Sequence, residues 1–140
     1  ADNVCWYVAP TYRMARQIMW KDLKNHVPQH EIQKKDETDL RIELINGSIL
    51  APRGADNPDS LRGVGLDFLV IDEIQDVNPE TWTAVLRPAL ADKNGRAVFC
   101  GTPKGYNWFY DLFSGANEQP DWEAFRFRTI EGGRPREVHV

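Results

Sequence analysis

The sequence predicts an α/β protein: a mostly parallel sheet flanked by helices, with a β-hairpin insertion. Three observations carry that reading. Short continuous apolar runs at residues 4–9 (VCWYVA), 68–71 (FLVI) and 96–100 (RAVFC) have the composition of strands buried on both faces. Each is followed, after a turn signal, by apolar residues recurring at helical spacing. Between the first and second runs, Asn46-Gly47 sits between two further apolar stretches, the strongest short-range hairpin signal because both residues tolerate positive φ.

The elements follow in order. Pro10 closes the first strand, and Thr11 caps a helix whose positions Ala15, Ile18, Met19, Leu23 and Val27 form its apolar face until Pro28 stops it. Residues 29–39 (QHEIQKKDETD) are polar and aperiodic, reading as a solvated connection or a short charged helix. Residues 40–45 and 48–50 supply the arms of the hairpin, an antiparallel insertion. Residues 51–67 are dense in Gly, Pro, Asp and Asn, predicting a long loop of the kind that carries function. After the second core strand, Asn78 caps a helix starting at Pro79, with Trp82, Val85, Leu86 and Leu90 inward and Asn94-Gly95 as its stop. The third core strand leads into Gly101-Thr102-Pro103-Lys104-Gly105 and a last helix with Trp108, Phe109, Leu112 and Phe113 on its apolar side. Residues 122–128 alternate as a half-buried strand, and 131–140 (EGGRPREVHV) read as linker.

Composition narrows the class. A chain of 140 residues with 41% hydrophobic and 27% charged residues suits one folded domain rather than a disordered segment. No apolar run approaches the roughly 20 residues of a membrane helix, and no basic-then-apolar leader opens the chain, so a cytoplasmic protein is expected. Cys5 and Cys100 fall in apolar strands, where they are expected as small buried hydrophobes in a reducing compartment. A net charge of −4 argues against a stand-alone nucleic-acid binder.

The chemistry gathers at two strand ends. FLVIDE is a hydrophobic strand closed by Asp72-Glu73, the pattern of a Walker B motif, in which the first carboxylate holds Mg²⁺ and the second polarises the water that attacks a γ-phosphate. A solvated strand end or helix cap is the bland alternative. Gly101-Thr102-Pro103 ends the next strand at the same sheet edge, where a hydroxyl could sense a γ-phosphate or simply sit in a β-turn feeding a helix. His26 and His30 have zinc spacing, but Pro28 interrupts their helix and no third ligand follows. Trp6, Trp20, Trp82, Trp108 and Trp122 lie on apolar faces and read as core, and Lys21, Lys24, Lys34 and Lys35 alternate with acids as a solvated face does.

In this order and spacing, YVAPTYR (7–13), SLRGVGLDFLVIDEIQDV (60–77) and VFCGTPKG (98–105) resemble the ATPase domain of the large terminase subunit of tailed phages and prophages, over residues 4 to about 130. The resemblance implies a P-loop-NTPase-like fold and a motor that uses ATP and Mg²⁺ to translocate double-stranded DNA into a procapsid. It also implies a homo-oligomeric ring, portal protein and small terminase subunit as partners, and the cytoplasm of the bacterial host as location. It assigns Asp72 to the metal, Glu73 to water activation, Gly101 and Thr102 to the nucleotide and to coupling, and Arg62 to an arginine finger reaching a neighbouring subunit's ATP. Pairing with Asp59 is the competing role for Arg62.

Departures matter too. The family's G-x-x-x-x-G-K-[ST] loop occurs nowhere in these residues, so 1–130 is expected to be a partial ATPase domain, inactive alone, and 131–140 a linker toward a nuclease domain. Without the strand that the family places beside it, Val98 to Cys100 is expected to be an exposed apolar edge prone to self-association. IDEIQDVN also resembles the acidic box of superfamily 1 helicases, although GTPKG stands where those have a Gly-Asp-x-x-Gln segment. A non-catalytic assembly or DNA-binding remnant is the remaining alternative.

Overall fold

The computed structural model describes residues 2–102, 107–116, 118–126 and 138–139. The strands are β1 (Val4–Ala9), β2 (Ile32–Asp36), β3 (Arg41–Leu44), β4 (Ile49–Gly54), β5 (Phe68–Ile71), β6 (Arg96–Gly101), β7 (Phe125–Arg126) and β8 (Val138–His139). Among the described residues they form an eight-stranded sheet in the order β2-β3-β4-β1-β5-β6-β8-β7. The centre, β4-β1-β5-β6, is parallel, as the apolar runs predict, while β2, β3, β7 and β8 attach antiparallel on the two sides.

The hairpin is therefore more than an insertion. Its second arm, β4, continues through Ala51-Pro52-Arg53-Gly54, which composition predicted as loop, and pairs with β1 from Val4↔Ile49 to Ala9↔Gly54. Proline is tolerated there for a geometric reason. Ile49 and Ala55 N–H groups donate to Asn3 and Ala9 carbonyls at 2.8 and 2.9 Å, so alternation turns the nitrogen of Pro52 away from β1, toward the side where β3 pairing has ended at Leu50. Small side chains suit this interior strand: Ala51 is 1% exposed.

At the end of β4, Gly54 lies against the start of the helix that follows β1, whose first N–H, that of Tyr12, donates to Asp56 Oδ1 at 3.0 Å. A methyl group at residue 54 would run into the Tyr12 backbone and the Asp56 carboxylate. Gly54→Ala is expected to destabilise the fold by about 1–3 kcal/mol, read as a lowered urea midpoint with unchanged slope.

Helix α1 spans residues 12–26 as Tyr12–Ala15, a wider π segment Arg16–Trp20, and Lys21–His26. Thr11 caps it as expected, its Oγ1 accepting from Met14 N–H at 3.1 Å. The wider π segment makes the helical phase lag, so Trp20 turns inward against Leu40 and Ile42 while Ile18, expected on the apolar face, is 42% exposed. Residues 32–36, expected as connection, form edge strand β2. Its apolar content is a single residue, Ile32, and its outward lysines Lys34 and Lys35 keep a free edge from recruiting another chain.

Helix α2, residues 81–93, joins a π segment Thr81–Leu86 to Arg87–Lys93. The widened turns absorb Pro88, which has no N–H to return along the helix. Asn78 Oδ1 accepts from Glu80 N–H at 2.9 Å, Asn94 closes the helix at φ 51°, and Trp82, Val85, Leu86 and Leu90 are all buried, as expected. Helix α3 (Trp108–Ala116) adds Phe109 to the same core. At its centre Phe99 of β6 meets Trp82 edge-on at 4.7 Å and Trp122 at 5.6 Å.

The β6 side departs from expectation at three points. Cys100 and Gly101 pair with His139 and Val138 of β8, so the expected free edge is covered at its end, whereas Arg96–Phe99 pair among the described residues with β5 alone. Of the stretch expected as strand, Phe125–Arg126 is one, and 127–128 lie outside the described residues. Within the stretch expected as linker, Val138–His139 is that sheet strand, and 131–137 lie outside the described residues.

Candidate functional site

The apolar run of β5 is held between β1 and β6, and the strand delivers its last residues to the C-terminal edge of the parallel sheet, where ligands bind in such folds. Asp72 N–H still donates to Val8 O at 2.8 Å, fixing the first carboxylate against β1. Glu73 then turns left-handed, at φ 49° and ψ 44°, a conformation that costs a non-glycine residue about 1 kcal/mol. Past this reversal the second carboxylate is bonded by Gln75, which in turn reaches the end of β6. The Glu73 N–H donates to Asp72 Oδ1 at 2.9 Å, so the two acids are locked in sequence.

Three neighbours complete the site. Tyr7 of β1 donates its hydroxyl to Asp72 Oδ2 in a short hydrogen bond. Gln75, in the 3₁₀ turn Ile74–Asp76, donates from Nε2 to Glu73 Oε2 at 2.6 Å. The same amide accepts at Oε1 from the N–H of Thr102 at 3.2 Å, linking the β5 turn to the end of β6. The structure thus brings together Asp72, Glu73, Gly101 and Thr102 of the expected residues. Arg62 stands elsewhere, lining a cleft with Ala84, Pro88 and Asp92, and its Nε donates to Asp59 Oδ1 at 3.1 Å, the competing role foreseen for it. Pro103, Lys104 and Gly105 of the expected turn lie outside the described residues.

Sequence reasoning passed over Tyr7 and Gln75 as site residues. Gln75 entered within the segments similar to terminases and to helicases, and Tyr7 as an apolar strand residue and the first residue of YVAPTYR, neither with a role of its own. The available signal was register: β1 and β5 are adjacent parallel strands, so an aromatic hydroxyl in YVAP lies one row from FLVIDE.

Tyr7 is buried, and its hydroxyl is pushed well above the usual tyrosine range, first by burial, then by its bond to Asp72 and the negative charges of Asp72 and Glu73. The sign follows. A raised folded-state value favours the fold fully below the unfolded tyrosine value of about 10, and that contribution is lost as pH rises beyond it. Tyr7→Phe is expected to flatten the alkaline decline of stability above about pH 10, checked by urea unfolding of both proteins across that range.

Beside Asp72 lies an open apolar groove of about 360 Å³, lined by Tyr7, Met19, Leu23, Phe68, Val70 and Cys100. Cys5 and Cys100, expected as buried, are only partly buried on this same sheet face, and burial raises the pKa of the Cys5 thiol. His26, by contrast, bonds locally, its Nδ1 to Asp22 O at 2.8 Å.

The residues present fit a magnesium ion. No cluster of three or more His, Cys, Asp or Glu occurs among the described residues, so no all-protein metal cage is built. Mg²⁺ prefers one or two carboxylates together with water and substrate phosphates, and Asp72, facing the groove with a lone pair to spare on each oxygen, matches that chemistry.

A parallel sheet flanked by helices, with an acidic pair at its C-terminal edge beside a polar strand end, is the architecture of the P-loop-like α/β class. Within that class the chain belongs to the terminase large subunit family, T4likevirus-type, N-terminal, whose model matches residues 3–133. It is 35% identical over 121 residues to the large terminase subunit of Escherichia phage T5, covering 82% of this chain and 27% of that protein. It is 30% identical to the large terminase subunit of Thermus virus P23-45 over an alignment of 154 residues, covering 86% of this chain and 32% of that one. In three dimensions it is similar to the large terminase ATPase domain of Thermus phage P74-26, with TM-score 0.70 and 29% identity over 79% of this chain and 52% of that domain. The chain spans about a third or less of the length of the curated relatives it matches. The helicase alternative falls with this membership. Among the described residues no helix is long and apolar enough to cross a membrane.

Proposed function

We propose that these residues form the magnesium-and-water half of the ATP-hydrolysing motor of a phage large terminase, which drives double-stranded DNA into a procapsid. The single observation that supports it best is the placement of Asp72 and Glu73 at the parallel-sheet edge, hydrogen-bonded in series to Thr102 through Gln75. Residues 1–130 are read as part of the ATPase domain.

Each side chain has a role in this reading. Asp72 holds Mg²⁺, its carboxylate oriented by Tyr7 and by the Glu73 N–H. Bound with ATP, the ion neutralises charge on the phosphate oxygens. Glu73 accepts a proton from the attacking water at its carboxylate, and Gly101 and Thr102 line the nucleotide side of the β6 end. Arg62 acts across a subunit boundary in a homo-oligomeric ring. Its side chain is 56% exposed and its partner Asp59 90% exposed, and such a surface pair, worth about 0–1 kcal/mol, exchanges readily for a phosphate. The β/γ-phosphate cradle is not supplied by residues 1–140, which lack a G-x-x-x-x-G-K-[ST] sequence. Portal protein, small terminase subunit and DNA are the partners of the whole motor, working in the cytoplasm of the bacterial host.

The test is Mg²⁺-dependent ATP hydrolysis by these 140 residues alone and by the protein extended to the length of its relatives. Activity in the extended form alone is expected. A folded, ring-forming extended protein without hydrolysis would instead favour a non-catalytic assembly module.

A further inference from the structure

Gln75 occupies a position that the assigned roles do not use. Its side-chain amide spans two elements, donating from Nε2 to the Glu73 carboxylate at 2.6 Å and accepting at Oε1 from the Thr102 N–H at 3.2 Å. The polarity admits one orientation. A carboxylate offers no proton and a backbone N–H accepts none, so the amide nitrogen must face Glu73 and its oxygen must face Thr102. Only a side chain carrying a donor and an acceptor on one planar group makes this bridge; glutamate would supply two acceptors and methionine no N–H donor.

The surroundings hold the bridge in place. The 3₁₀ turn bearing Gln75 is closed by Asp76 N–H to Glu73 O at 2.9 Å and Val77 N–H to Ile74 O at 3.1 Å. Ile74 and Val77, 0% and 3% exposed, pin that turn to the core on either side of Gln75. Opposite it, residue 101 has no side chain, and a Cβ there would strike Gln75 Oε1 first, then Ile74 and Phe109. Glycine at 101 is what lets the amide reach the end of β6. The left-handed turn at Glu73 brings the carboxylate to the other side of the same amide.

We propose that Gln75 is a positioning residue that holds the Glu73 carboxylate in its working orientation and ties that orientation to the backbone of Thr102. The inference rests on the ATPase reading above. Its mechanical content is that any shift of the β6 end at Thr102 is transmitted to the water-activating carboxylate through one rigid amide, and the reverse. Gln75 touches neither substrate nor metal in this scheme; it acts through Glu73.

The experiment uses the protein extended to the length of its relatives, with Gln75→Ala, Gln75→Glu and Glu73→Gln measured beside the unsubstituted form. Misplacing a catalytic group by about 1 Å costs on the order of 100-fold, so Gln75→Ala is expected to lower kcat by about 10- to 100-fold with KM for ATP changed less than about 3-fold. Gln75→Glu supplies a separate signature. Two carboxylates at this distance repel, so this nearly isosteric change is expected to lower kcat at least as far as Gln75→Ala, again with KM for ATP changed less than about 3-fold. Unchanged kcat in Gln75→Ala or in Gln75→Glu overturns the proposal while Glu73→Gln inactivity leaves the ATPase reading standing. Hydrolysis that survives Glu73→Gln overturns that reading and the proposal with it.

Discussion

Replacing Glu73 by glutamine in the extended protein is expected to lower kcat for Mg²⁺-dependent ATP hydrolysis by about 100- to 10,000-fold, the usual contribution of a positioned general base. The substitution is nearly isosteric. A glutamine oxygen at 73 can still accept from Gln75 Nε2, and the backbone N–H of residue 73 still reaches Asp72 Oδ1. Geometry is therefore largely kept while the proton acceptor is lost, and KM for ATP should move by less than about 3-fold, the mark of an interaction used in the transition state. Steady-state kinetics with nucleotide and Mg²⁺ varied separately decide the matter. A drop confined to KM would make Glu73 a binding residue and return the acidic pair to a structural role. Asp72 separates differently: Asp72→Asn should raise the Mg²⁺ concentration needed for half-maximal rate, because it removes the charge opposite the ion.

Phe99→Ala is expected to have the largest effect on stability, about 3–5 kcal/mol. The ring is 0% exposed, lies 4.7 Å from Trp82 in an edge-on contact and 5.6 Å from Trp122, and sits opposite Ile71 in the β5–β6 ladder. Truncation leaves a cavity that rigid neighbours cannot fill, and it removes two aromatic contacts as well as buried area. In urea unfolding the midpoint should fall by more than about 1 M at unchanged slope. Phe125, 49% exposed on β7, provides the contrast; its replacement by alanine should cost less than about 1 kcal/mol. Equal losses at the two positions would mean that the Trp82–Phe99–Trp122 cluster is not the packed centre of the core. The consequence reaches the site, because β6 carries Phe99 and, two residues later, the glycine against which Gln75 rests.

Much of this architecture was legible before any coordinates. Three central parallel strands, the Thr11 cap, the Asn78 cap and the inward face of α2 all declare themselves through composition and period, because a continuous apolar run or a helical stripe leaves a local pattern, although β5 and β6 bury one face fully and leave Phe68, Val70 and Cys100 on an open groove. The acidic pair was legible for the same reason: a hydrophobic run that ends in charge marks a strand end at the sheet edge. What escaped was whatever depends on a neighbour distant in sequence. Strand β2 has almost no apolar content because it is an edge, and its pairing to β3 alone makes it a strand. Pro52 reads as a breaker until the side of β4 that it faces is known. Ile18 gave way to Trp20 because a π segment shifted the helix phase.

The same division runs through the candidate site. Residue type and order by themselves determined the class of fold, the family, and the two carboxylates at the end of β5, since those are properties of short contiguous segments. Only the tertiary structure decided that Tyr7 holds one carboxylate, that Gln75 holds the other and reaches Thr102, and that Arg62 stands apart with Asp59. Hydrogen bonds between groups 27 or 65 residues apart leave no periodic trace in the chain, because they exist only once adjacent strands have set their register.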